Sequence, residues 1–312
     1  MSAAPTRVVL DCDPGHDDAM AILLAAAAPT IDLRAITTVA GNQTLDKTTL
    51  NARRVCSVAG ITGVPIAAGR DRPLRRDRIV AAEIHGASGL DGVDWDEPTV
   101  NADARDGVEL IIEEAFAGPG PLTIVAVGPL TNVAAALERV PAITDHLARI
   151  AIMGGAIGLG NWTPSAEFNI HADPEAAELV LRSDAPITLV PLEVTHRALA
   201  TAEVIGRIAA LDTPVARMSV ALLRYFATTY ERVFGFPAPA VHDPCAVAAI
   251  IDPSIVATRR VNVAVDTASG LSLGRTVCDL YGITGRDPNV DLGVDLEVDG
   301  FWELMIGALA AY

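Results

Sequence analysis

Four carboxylates fall within eight residues in the stretch Asp11-Cys12-Asp13-Pro14-Gly15-His16-Asp17-Asp18, and the flanking residues limit how they can be housed. Residues 7–12 (RVVLDC) are apolar and β-branched, the composition of a buried strand. Side chains alternate across a strand, so Asp11 and Asp13 share one face and Cys12 takes the other. Pro14-Gly15 turns the chain. Asp17 and Asp18 then open a helix over 18–28 that is almost entirely Ala, Ile and Leu. A helix without a polar face is packed on all sides, which leaves the acids at the rim of a core. Capping and the helix dipole account for one or two of them. The others repel, each raising its neighbours' pKa unless a cation is present. A hard divalent metal with oxygen ligands is the simplest resolution.

Strand-like and helix-like segments alternate over roughly the first 190 residues. Strands are expected at 31–39, 64–67, 122–127, 150–153 and 187–191. Helices are expected at 45–59, closed by Gly60, at 104–117, from a Thr131 cap to about 140, and at 174–182. Residues 70–100, rich in charge and glycine, read as a long mobile loop. The rhythm predicts βα units, hence a single-domain open, doubly wound, mostly parallel α/β sheet flanked by helices. Further on, helices at 205–211, 215–233 and 243–250 precede strands at 259–265, 271–279 and 290–298 and a last helix from about 300. No linker or repeat divides residues 1–312, so one domain is expected.

Bulk properties exclude several classes. A net charge of −16 and a pI near 4.7 disfavour nucleic acid or an anionic membrane as partner. Cys12, Cys56, Cys245 and Cys278 are far apart with no CxxC, as in reduced buried thiols rather than a disulfide or zinc framework. The N-terminal MSAAPTR shows no cleavable apolar segment, and the longest apolar run, 19–28, is too short for a bilayer. A cytoplasmic enzyme is expected.

In doubly wound sheets ligands bind beyond the carboxyl ends of the strands, and polar groups gather at those places here. They are Gly41-Asn42-Gln43, the Val127 to Asn132 segment, the irregular stretch with Asn161, Glu167 and Asn169, and His242-Asp243. Together they offer carboxylates and amides around a hard cation, which suits a polyol. Gly154-Gly155-Ala156-Ile157-Gly158-Leu159-Gly160 imitates a dinucleotide loop, but Asn161-Trp162-Thr163-Pro164 follows where the fingerprint needs a helix.

These motifs resemble the inosine-uridine family of nucleoside hydrolases. The likeness runs in order through DCDPGHDD, ITTVAGNQTL, VPIAAG, IHGASG, GPLTNVA, IMGGA, AEFNI, DPEAA and VHDPCAVA, over nearly the whole chain. It implies an open α/β fold, a bound Ca²⁺, and hydrolysis of the N-glycosidic bond of ribonucleosides, in a homodimer or homotetramer. Position by position it implies Asp13, Asp18, Asp243 and the Val127 carbonyl as metal ligands. Asp17, Asn42, Asn161, Glu167 and Asn169 would hold the ribose hydroxyls, with Met153 packing in the ribose pocket. His85 and His242 would sit near the nucleobase. Phe226 stands where some relatives carry a polar or hydroxylated side chain, which weakens the expectation of base hydrogen bonding there.

Asp13 is the expected general base, taking a proton from a water beside the cation. His242 is the expected acid for the leaving base, with Tyr230 as helper. Tyr230 lies four residues from both Phe226 and Phe234, so a core stripe is an equal reading. His16 has no expected role, and Asp11 is expected to brace turn amides. A haloacid dehalogenase-type phosphohydrolase also begins with Asp-x-Asp, but it needs a downstream phosphate-binding lysine, and the only lysine is Lys47. A Ca²⁺-stabilised binding protein without turnover is the non-catalytic alternative. The nucleobase is left open, with residues 70–100 and 225–239 expected to set it.

Overall fold

A computed structural model describes residues 4–268 and 270–312. Nine strands form one sheet: β1 (Thr6–Cys12), β2 (Ile31–Thr38), β3 (Ile66–Ala68), β4 (Leu122–Ala126), β5 (Leu147–Met153), β6 (Ile187–Val190), β7 (Val256–Val265), β8 (Thr276–Asp279) and β9 (Val290–Leu296). Their order is β3-β2-β1-β4-β5-β6-β9-β7-β8. From β3 to β9 neighbouring strands run parallel, and β7 is antiparallel to both β9 and β8. Helices bury both faces. One core lies under the apolar helix His16–Ala27 and its neighbour Pro244–Ile251, the other under Gly107–Phe116, Thr131–Arg139 and Pro174–Leu181. Strands covered on both sides read as continuous apolar runs, which is why LTIVA and ITLV stand out in the sequence.

Several boundaries differ from expectation for local reasons. The first helix begins at His16 rather than Asp18, because the Asp18 carboxylate takes the Gly15 N–H and closes the opening turn. Thr131 does not cap its helix; its hydroxyl donates to Asp173 Oδ2 at 2.7 Å. The strand expected from residue 271 starts at Thr276, since residues 271–274 form turns. Residues 70–100 are not a free loop. They contain the short helix Ala82–His85 and are tied down by Gln43 on Gly86, Asn51 on Ser88 and His16 on Asp91. Those contacts join residues about forty to seventy-five apart in the chain, so local periodicity carries no trace of them.

Asp11 braces side chains rather than turn amides. Its Oδ1 accepts from the Thr37 hydroxyl (2.6 Å) and the Asn132 amide (2.7 Å). Asn132 also donates to the Thr38 carbonyl and accepts from the Arg70 N–H, locking β1, β2 and the residues after β3 to the start of a helix. Replacing Asn132 by Ala strands these groups in a buried place, and we expect a loss of about 2–4 kcal/mol in denaturant unfolding; a loss under about 0.5 kcal/mol would contradict the bracing role.

Candidate active site

The acids converge where the strand order reverses. β1 has β2 on one side and β4 on the other, and the crevice beyond their carboxyl ends is the place such sheets use for ligands. Asp13 is the first residue past β1. Its N–H donates to Asp18 Oδ1 at 3.0 Å. Asn42, past β2, donates its main-chain N–H to Asp13 Oδ2 (2.6 Å) and its side-chain amide to Asp18 Oδ2 (3.0 Å). Asp13 Oδ1 is buried without a partner among the described residues. Gly128 lies against it, so closely that a Cβ there would come within 2.6 Å of that oxygen. Asp17, Asp18 and Asp243 bring one carboxylate oxygen each to within 4.8 Å of one another.

Burial raises the pKa of every member of this cluster. For Asp13 and Asp17 the charge of Asp18 comes second, and Asp17 reaches about 8. Asp243 is pushed well up by burial and then by Asp17, Asp18 and Asp13. An orphaned buried oxygen, crowded acids and a donor set made only of oxygen fit a hard divalent cation. Val127 lines the adjoining cavity, and its carbonyl accepts from Asn169 Nδ2 at 2.9 Å.

A cavity opens from the cluster. Asp17, Asn42, Val127, Met153, Asn161, Glu167, Asn169 and Asp243 line it, as do His85, Tyr230 and His242, so the structure brings most of the expected site residues together. Asp13 and Asp18 lie behind this wall. Glu167 caps the short helix Phe168–Ala172, accepting from Asn169, Ile170 and Gly155 N–H, while burial lifts its pKa to about 7. The Asn161 side chain accepts from Phe168 N–H at 2.9 Å. Ile84, Phe226 and Phe234 line the cavity too, clustered with Tyr230. Tyr230 is thus both a core aromatic and a cavity wall, its hydroxyl hydrogen-bonded to His242 Nε2. The other His242 nitrogen meets the Thr195 hydroxyl at 2.7 Å, and its main-chain N–H donates to Asp17 Oδ2. Burial holds His242 well below its usual pKa, with His196 adding to the effect.

Four contributors escaped the sequence reading. Thr195 sits on a four-residue helix, Leu192–Thr195, with no periodic signal. Trp162 and Phe168, packed edge to face, line the cavity from the irregular stretch after β5. His16 is fully buried and hydrogen-bonded to His85.

The model described as inosine-uridine preferring nucleoside hydrolase matches residues 8–303. The chain belongs to this family. It is 45% identical over 306 residues to the pyrimidine-specific ribonucleoside hydrolase RihA of Citrobacter koseri, covering 98% of each chain. To RihB of Shigella sonnei, also named pyrimidine-specific, it is 42% identical over 98% of this chain and 97% of that one. Among solved structures, a purine-preferring ribonucleoside hydrolase from Gardnerella vaginalis superposes with a TM-score of 0.91 at 30% identity, covering 98% of both chains. A plant nucleoside hydrolase gives 0.90 at 31% identity, over 99% of this chain and all of the other. The protein is a nucleoside hydrolase with the single-domain, mostly parallel open sheet expected of the family.

The raised carboxyl pKa values have a consequence for stability. A carboxyl whose native pKa lies above its unfolded value keeps its proton more tightly when folded. The stability this gives is complete below the unfolded value of 3.8 and is lost as pH rises through the native value, about 8 for Asp17. Buried histidines act in the opposite sense, but with an ordinary pKa of 6.5 they are largely neutral in both states above pH 7. Cation-free protein should therefore lose Tm between about pH 7 and pH 8.5, and saturating Ca²⁺ should abolish the loss. A Tm that is flat without Ca²⁺ would contradict the cluster's crowding.

Proposed function

We propose that this enzyme cleaves the N-glycosidic bond of pyrimidine ribonucleosides to free base and ribose, with Ca²⁺ held by Asp13, Asp18, Asp243 and the Val127 carbonyl. The observation that carries this reading is one cavity lined both by carboxylates and amides and by aromatic rings and histidines. The first set suits a polyol and the second a flat heterocycle. Support for the pyrimidine comes from the names of the two relatives above.

A bound Ca²⁺ would fix the ribose diol and make a neighbouring water more acidic. Asp17, Asn42, Asn161, Glu167 and Asn169 receive the ribose hydroxyls and orient the sugar, and their charge favours a positive ring as the C–N bond breaks. Asp13 is the general base. The Asn42 N–H on its Oδ2 fixes the carboxylate beside the cation site, where it takes a proton from the attacking water. The hydroxide bonds to the anomeric carbon, and the departing ring takes a proton from the hydrogen-bonded pair of Tyr230 and His242. Thr195 holds the far side of the His242 ring.

Free ribose should appear from uridine and cytidine faster than from inosine or adenosine, and a Ca²⁺ chelator should stop it. Chelator-resistant turnover would contradict the metal, and inosine as the best substrate would contradict the base preference. Asp13→Asn should cut kcat on uridine by about 10²–10⁴-fold, the usual range for a general base; retention of more than a tenth of wild-type turnover would overturn the assignment. His242→Ala should depress uridine turnover far more than turnover of 4-nitrophenyl β-ribofuranoside, whose leaving group needs no proton, and equal losses would argue against the acid role.

A further inference from the structure

His16 sits in the acidic motif, yet its ring nitrogens meet none of the acidic side chains. Its ring lies within stacks against Tyr225 (centroids 5.2 Å, interplanar 6°), Phe226 (5.2 Å, 9°) and His85 (5.3 Å, 24°). Both ring nitrogens are engaged. Nε2 lies 2.9 Å from the main-chain carbonyl of Asp91, and Nδ1 lies 3.1 Å from Nδ1 of His85. His85 Nε2 makes no hydrogen bond to any described residue, while its ring lines the cavity.

From this arrangement we propose that His16 is a positioning residue: stacked on Tyr225 and Phe226 and tied to the Asp91 carbonyl, it holds the His85 ring against the cavity so that His85 meets the nucleobase. The inference rests on the reading of His85 as a base-side residue. A carbonyl can only accept, so His16 Nε2–H donates to Asp91 and fixes its own ring. The His16 main-chain N–H, 3.3 Å from His85 Nδ1, and the His16 ring Nδ1 meet the same nitrogen of His85, so the motif holds that side of the ring twice. Nε2 is the His85 nitrogen without a described partner, the one left for a base.

His16→Phe keeps the stack and removes both ring contacts, which separates positioning from packing. The quantity to measure is the ratio of kcat/KM for uridine to kcat/KM for 4-nitrophenyl β-ribofuranoside, which has the ribose but no pyrimidine. The ratio should fall at least tenfold in His16→Phe and in His85→Ala, with no further fall in the double variant, since residues acting through one another are not additive. A fall in His85→Ala alone would overturn the role of His16. An unchanged ratio in His85→Ala would instead overturn the base-side reading of His85, and the inference with it.

Discussion

Repulsion among Asp13, Asp17, Asp18 and Asp243, all buried at the carboxyl end of β1, is the constraint around which the site is arranged. Four acids in a space stripped of water are tolerable when they share protons, accept N–H groups or surround a cation. The chain does part of this with its own backbone. Asp18 accepts from the N–H groups of Asp13 and Gly15, and Asp13 from that of Asn42. What these amides leave uncompensated includes Asp13 Oδ1 and the oxygens that Asp17, Asp18 and Asp243 bring within 4.8 Å of one another. The same repulsion that burdens the fold therefore builds an oxygen cage for a hard cation.

The sheet topology makes this concentration possible. Asp13, Asn42 and Val127 are spread over more than a hundred residues of chain, yet each lies just past the carboxyl end of a strand among neighbours β1, β2 and β4. Beneath them Asp11, Thr37 and Asn132 form a second polar layer that ties the same strands together below the catalytic one. Close packing there admits no side chain at Gly128, whose Cβ would meet Asp13. Stability and chemistry share these residues, so the neighbourhood of the motif is where small substitutions should have large effects.

Much of this was legible in the chain. The apolar strand, the turn and the acid-led apolar helix show themselves because period and composition are local properties. Asn42, Val127 and Asn169 were within reach because strand ends converge in a doubly wound sheet. His16 was not. Its position after a glycine turn says nothing about a ring packed on residues 85, 91, 225 and 226, which long-range folding alone brings together. Thr195 was hidden for the same reason, and the anchoring of residues 70–100 was masked by their charge and glycine content. Phe226, Tyr230 and Phe234 gave the opposite difficulty. Their spacing of four announces a buried stripe, and only the fold reveals that the stripe also forms a cavity wall.

The central claim is that the buried acids form a cation site. Calorimetric titration of chelator-stripped protein with Ca²⁺ near pH 7, in buffers of different ionisation enthalpy, tests it most directly. One Ca²⁺ per chain should bind with release of protons, because burial keeps part of the cluster protonated until the cation arrives. Stripped protein that binds no divalent cation, or binds one without releasing protons, would contradict the account.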